Sequence, residues 1–449
     1  MSRCFRFCLI VIFLSLNFEI WAETPFVNNS EKTARITNTE ESVVLSGFYP
    51  NGVIIDSDRD FVLVLDNVSI RSETACALEI KGNISNTVVF IKGRNDIEVE
   101  KTDRESKKGA LECCPENRVC DIVFAGSGTL NINTSAKHGI HGQSIIFKEG
   151  YININLSESS TGHAIKAEDQ VFVDGSEITI NAMGSVSQEE SKGIVVVGHE
   201  SGTKVRPNPE DALCRFVMNK GTLNITSVSK AITAKWEKTD GKTETTEDDP
   251  EAVVIVNGGN IIIKTTGLLN KTKENKLTPE GIEGKDRVII NGGFIDVLST
   301  DDAINGKYIE INDGVVIAQS LMDDGIDSNG NISINGGVIV AMSDKDPAEP
   351  IDCNSGKNLT WTAGDIIAIG GVIESLPAWK GLGLGYYQIQ RNLSLFQPNT
   401  LYLIDSDDNA ILSFNIPERF KDYLHLDIFA GSDKTKGSCK LVFTIEEQQ

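Results

Sequence analysis

One short phrase, a small residue followed by Ile or Leu with a polar residue on either side, returns ten times along the chain. It reads Cys76-Ala77-Leu78-Glu79, Gly109-Ala110-Leu111-Glu112, His138-Gly139-Ile140-His141, His163-Ala164-Ile165-Lys166 and Lys192-Gly193-Ile194-Val195 in the first half. It continues as Lys230-Ala231-Ile232-Thr233, Glu280-Gly281-Ile282-Glu283, Asp302-Ala303-Ile304-Asn305, Asp324-Gly325-Ile326-Asp327 and Glu349-Pro350-Ile351-Asp352. The apolar position is Leu twice and Ile eight times. So regular a ladder must point into a core, and the small residue before it lets the backbone turn a corner. Between Asp301 and Ile339 the copies stand 22 residues apart. A repeat that short cannot bury its apolar face alone; it does so by stacking on its neighbours.

The residues between the copies read as strands. Runs such as Val288-Ile289-Ile290, Ile309-Glu310-Ile311 and Ile332-Ser333-Ile334 precede Gly-containing turns, and second runs such as Phe294–Val297 and Val315–Ala318 follow them. The alternation has the period of two that strands require, with no helical spacing. Three strands per coil predict an all-β fold, a right-handed parallel β-helix solenoid of about ten coils over residues 61–371. Residues 23–60 are expected to form an N-terminal cap over the exposed sheet edge. After Gly371 the repeat stops. Residues 372–449 are expected to form a C-terminal β cap, with a hairpin from Thr400–Ile404 to Ala410–Ile416. Polar insertions at 198–212, 234–251 and 268–279 leave one side of the solenoid, the side where function gathers.

Residues 1–22 have the build of a secretory signal: Arg3 and Arg6, an apolar Cys8–Leu16, then Trp21-Ala22. The apolar run is too short to span a bilayer and no later stretch is long enough, so the chain is expected to be secreted, periplasmic or on the cell surface. The formal charge is −22, which excludes binding nucleic acid by phosphate neutralisation. Beyond the signal there remain Cys76, Cys113, Cys114, Cys120, Cys214, Cys353 and Cys439. Their spacing suits no zinc site. They read as small apolar core residues; an exported chain permits disulfides, but the spacing assigns no pairing.

The polar positions beside each Ile should face away from the core. In order, the first is His138, His163, Lys192, Lys230, Glu280, Asp302, Asp324, Glu349, and the second His141, Lys166, Val195, Thr233, Glu283, Asn305, Asp327, Asp352. The face thus runs from basic or neutral to acidic. Stacked strands lie about 4.8 Å apart, and carboxylates at that spacing cannot all remain charged unaided. Calcium–oxygen distances are about 2.4 Å, so two oxygens across one Ca²⁺ lie roughly one rung apart. The candidate calcium ligands are Glu280, Glu283, Asp301, Asp302, Asn305, Asp323, Asp324, Asp327 and Asp352. An all-oxygen set argues against zinc or copper. Two residues beyond the second position, Lys235, Lys285 and Lys307 form a further row, read as a rail for a ligand's carboxylates or as charge balance for the acids. His138 and His163 are expected to stack one coil apart.

These motifs resemble a family of bacterial right-handed β-helix carbohydrate-binding proteins, related in architecture to pectate lyases. The likeness spans roughly residues 45–445 and rests on Gly126-Ser-Gly-Thr-Leu130, Lys137-His-Gly-Ile140, Glu280-Gly-Ile-Glu-Gly-Lys285, Asn291-Gly-Gly293, Asp301-Asp-Ala-Ile304, Asp323-Asp-Gly-Ile-Asp-Ser-Asn-Gly330 and Asn335-Gly-Gly337. It implies an exported, calcium-binding β-helix that takes acidic plant-type polysaccharide such as polygalacturonate, or cellulose. The metal-binding role carries over to Glu280, Glu283, Asp301, Asp302, Asp323, Asp324 and Asp327. Where the family has Asp-Gly-Ile, this chain has His163-Ala-Ile, Lys192-Gly-Ile and Lys230-Ala-Ile, which moves the expected calcium to the C-terminal half.

Binding without catalysis is the leading functional reading: bridging calcium and the lysine row would reverse the repulsion between an acidic protein and a polyuronate. The alternative is a calcium-dependent polysaccharide lyase, in which Lys285 or Lys307 takes the proton beside the uronate carboxylate. A structural or adhesive surface protein is a third reading.

Overall fold

A computed structural model describes residues 33–37, 41–73, 76–100, 108–113, 120–185, 191–199, 214–237, 252–272, 276–344, 348–353, 359–370, 383–390, 398–420, 425–434 and 439–445. The expected signal at 1–22 and the loop at 239–250 lie outside these residues. The described chain is all-β: one large, mostly parallel sheet, a second sheet of three strands and a single 3-10 turn at Glu418–Phe420.

The parallel pairings form three ladders. The first runs from Ala34–Thr37 to Ile351–Cys353 and carries the repeated Ile. The second runs from Ser42 to Leu359–Trp361. The third runs from Gly47 to Asp365–Gly370. In each, a strand pairs with the corresponding strand one repeat away. The alignment read from the sequence is the one observed: Ile282, Ile304, Ile326 and Ile351 are successive partners, as are Glu283, Asn305, Asp327 and Asp352.

Burial explains the regularity. Ile140, Ile165, Ile194, Ile232, Ile282, Ile304 and Ile326 are fully enclosed, each such side chain contributing about 1.5–3 kcal/mol of transfer free energy. The small residue before them has a steric cause. At Gly281 an added Cβ would lie 2.2 Å from Val297 Cγ1 and 2.4 Å from the carbonyl of Ala303 in the next rung.

One expectation needs correcting. Val43–Leu45 and Val53–Ile55 do not cover the first rung; they are rungs. Ala34–Thr37 pairs in parallel with Val53–Ser57, which pairs with Leu78–Gly82. Polar residues between these short strands hid their β character. At the other end, strand direction reverses. His425–Ser432 adds antiparallel to Asp365–Gly370 and to Gly383–Gln390. The expected hairpin forms between Pro398–Ile404 and Ala410–Asn415. With Lys440–Ile445 it makes the three-stranded sheet, whose Leu401 and Leu403 pack with Val340, Met342, Ile367 and Ile369. The last two strands of the third ladder are therefore buried on both faces, since Ile339, Ala341, Ile366 and Ala368 belong to the main core.

Candidate metal centre

The polar residues flanking the repeated Ile point away from the core, as alternation demands, but they are sunk rather than exposed. Thr233 and Glu283 are 0% and 1% exposed, Asp301 2%, Lys230 5%, Glu280 6% and Asp302 7%. Charge buried to that depth must be matched, and the chain does so in two ways.

The upper part of the acidic face is matched by lysine. Lys230 Nζ lies 2.6 Å from Glu283 Oε1 and 2.9 Å from Glu280 Oε1. Glu283 also pairs with Lys285 and accepts from Thr233 Oγ1 at 2.5 Å. Burial opposes its charge, yet Lys230 and Lys285 hold the Glu283 carboxyl well below the usual carboxylate range. Burial likewise works against the Lys230 ammonium, and Glu280 and Glu283 outweigh it, raising Lys230 well above its ordinary value. Glu283 is thus engaged by three donors. Glu280 has one oxygen on Lys230; its Oε2 is buried with no hydrogen-bond partner, and burial followed by Glu283 pushes its carboxyl up to about 8.

One rung on, the acids gather on one another. Asp301, Asp302 and Asp323 each offer a carboxylate oxygen, all within 4.8 Å of one another. Asp324, Asp327 and Asp352 form a second such group. Asp301 and Asp302 sit in the turn after Phe294–Ser299, where Ser299 Oγ donates to the Asp301 carbonyl at 2.5 Å. Ser320 Oγ does the corresponding work one rung later, accepting from Asp323 N at 2.9 Å. Asp302 Oδ1 accepts from Asp324 N at 3.2 Å, and Asp324 Oδ1 from Glu349 N at 2.6 Å, so each acid is tied to the backbone of the next rung. Asn305 turns its amide NH₂ on Asp302 Oδ2 at 2.7 Å and Asp327 Oδ2 at 3.0 Å. It bridges the two groups.

The electrostatics show how incomplete this matching is. Burial, then Asp302 and Glu280, pushes the Asp301 carboxyl up to about 9. Burial with Asp323 takes Asp302 to about 7, burial takes Asp324 to about 7, and burial with Asp302 takes Asp327 to about 8. Asp301 Oδ1 is buried and has no hydrogen-bond partner. Lys271, in the insertion closed by the Asn270–Leu277 bridge, pairs with Asp323 but stays 3.9 Å from Asp301 Oδ1. Lys271 gave no signal in the sequence, because an insertion has no rung to align it.

The expected lysine row is not a uniform rail. Lys285 is committed to Glu283, while Lys307 lies over the Tyr308 ring at 5.7 Å and Lys235 continues its strand opposite Val197. Pairing shifts register after Gly284 and Gly306, at the corner that holds Lys285 and Lys307. Farther toward the N-terminus, His138 and His163 stack as expected, with ring centroids 5.2 Å apart, and His163 N donates to His138 Nδ1 at 3.1 Å. Burial first, then neighbouring imidazoles and lysines for His138 and lysines alone for His163, holds both well below the ordinary histidine range. His141 joins Glu112 at 3.0 Å and Glu168 at 2.8 Å, a carboxylate pair that pattern reading missed because Glu168 lies outside the repeated phrase.

Parallel ladders with a row of matched and unmatched charges along one face define a repeat-built, all-β protein. The chain belongs to the family described as carbohydrate-binding domain-containing proteins, whose model matches residues 30–321. The match takes in Asp301 and Asp302 and ends just before Asp323. No curated protein and no solved structure matches the chain. Among the described residues no helix is long and apolar enough to cross a membrane.

Proposed function

We propose that this protein is an exported, calcium-binding right-handed parallel β-helix that binds an acidic polysaccharide of the polygalacturonate kind along its first ladder, without catalysis. The observation that carries this reading is the pair of carboxylate groups, Asp301/Asp302/Asp323 and Asp324/Asp327/Asp352, the first containing a buried oxygen with no partner. Oxygen-only ligands on adjacent rungs suit a hard divalent cation, and flexible spacing favours calcium over the tighter octahedron of magnesium. A cation held there would neutralise the acids and present a positive centre to a uronate carboxylate. Contacts repeated from rung to rung would add along a polymer. Membership of a carbohydrate-binding family supports the polymer as partner.

The lyase reading is weaker. It needs a lysine able to give up its proton near neutrality. Lys285 faces the opposite way: although burial works against its charge, Glu283 outweighs it and raises Lys285 above the ordinary lysine range.

The test is calorimetric binding to polygalacturonate with calcium and after EDTA, for the natural chain and for Asp302→Asn with Asp324→Asn. Binding should fall at least tenfold on chelation, and the double variant should keep its fold and lose both calcium and polymer. Polymer binding unchanged by EDTA would remove calcium from the proposal, and release of an unsaturated product would restore the lyase.

A further inference from the structure

Cys113 and Cys120 meet inside the core. Both are fully enclosed, and their Sγ atoms lie 3.4 Å apart. The ladders explain why. Cys113 ends the first-ladder strand Gly109–Cys113, and Cys120 immediately precedes the second-ladder strand Asp121–Ala125. The next rung turns the same corner with far less chain. Gly142 is the partner of Cys113 and Ser144 the partner of Asp121, with only Gln143 between them. In this rung six residues, 114–119, are inserted at that corner. The rung geometry nevertheless holds the ends of the insertion roughly as close as neighbouring residues, about 4–7 Å at Cα by chain spacing. That is the separation a disulfide spans.

We propose that Cys113 and Cys120 are a disulfide-forming pair that closes the base of the 114–119 insertion. The chemistry is thiol–disulfide exchange. The thiolate of one cysteine attacks a sulfur of an external disulfide RSSR and displaces RS⁻. The thiolate of the other attacks the mixed disulfide at the cysteine sulfur and displaces the second RS⁻. The sum is two cysteine thiols plus RSSR giving one Cys113–Cys120 disulfide and two RSH, with two electrons passing to the oxidant. The oxidant is a small-molecule or protein disulfide of an oxidising compartment, which the proposed export would supply. Because both sulfurs are enclosed, exchange takes place while the corner is still open during folding, and the finished bond is shielded from reductants.

The bond would do more than close a loop. Cys113 follows Glu112, whose carboxylate accepts from Gly109 N at 2.7 Å and from His141. Fixing Cys113 therefore fixes the carboxylate that positions His141 on the polar face.

The test refolds the full chain with oxidised glutathione and measures its intact mass and thiol count after alkylation in denaturant. The expected result is a mass lower by two hydrogens and two fewer alkylated cysteines. Trypsin should yield peptide 109–118 linked to peptide 119–137. Because Cys113 and Cys114 share a peptide, variants assign the bond: it should persist in Cys114→Ser and vanish in Cys113→Ser and Cys120→Ser. Full alkylation of the refolded natural chain, or a bond that survives Cys113→Ser, overturns the proposal. Neither readout involves calcium or polysaccharide, so failure here leaves the binding proposal untouched and failure there leaves this one.

Discussion

At the scale of single residues, the apolar position of the repeat was fully legible and its polar neighbours only half so. An Ile recurring in one slot can only be core, and Ile282, Ile304 and Ile326 are enclosed accordingly. The residues beside it were correctly placed off the core, but alternation says nothing about what lies over them. Hence the pairing of Glu283 with Lys230, in the adjacent rung, was not legible. The four raised aspartates carry a prediction about pH. Their folded values, about 7 to 9, stand above the ordinary aspartate value near 3.9. Between those limits the folded state holds more protons than the unfolded one, so metal-free stability falls as pH rises. The calcium-free chain should unfold at a higher temperature at pH 5 than at pH 8, and added calcium should close the gap by restoring stability at pH 8. Thermal unfolding in EDTA and in calcium at both pH values checks this. A metal-free protein equally stable at pH 8 would show that the aspartates are not mutually strained.

At the scale of elements, the strands and their register came from the repeat, while the corners contributed more than the sequence disclosed. Asn257, Asn291, Asn312 and Asn335 form a chain of side-chain amides, each NH₂ donating to the carbonyl oxygen of the preceding one at 2.8–2.9 Å, beginning on Asn219. The glycines two residues on, Gly259, Gly293, Gly314 and Gly337, all have positive φ. Asn-Gly-Gly and Asn-Asp-Gly thus mark a corner at which amide stacking fixes spacing and glycine fixes direction. At Gly314, with φ +101°, an added Cβ would lie 2.8 Å from the carbonyl of Gly293. Gly314→Ala is expected to cost about 1–3 kcal/mol, read as a lower denaturant midpoint with calcium affinity unchanged, because the corner stands apart from the acidic groups.

At the scale of the whole molecule, the ladder and the C-terminal hairpin were foreseen and the N-terminal rungs were not. Repetition reveals the middle of such a chain; ends are where sequence departs from the repeat, so Ala34–Thr37 passed for a cap. The C-terminal strands replace a parallel edge by an antiparallel one, and an uncovered strand edge is a template for further pairing. A chain truncated after Gly370 should therefore self-associate, with apparent mass in light scattering rising with concentration, while the full chain keeps one size. A monodisperse truncated chain would contradict this.

Reversing direction at His425–Ser432 also sets a limit on reach. The rungs stop, so the molecule has a finite span. From Glu280 to Asp352 the acidic rungs cover on the order of 15 Å at about 4.8 Å per step. Under the proposed function, a short segment of polymer saturates the grip, and lengthening the oligosaccharide past that segment brings no further strength of attachment. The protein would act as a gauge as well as a clasp, holding long and moderately long chains equally and releasing fragments too short to cover the acids.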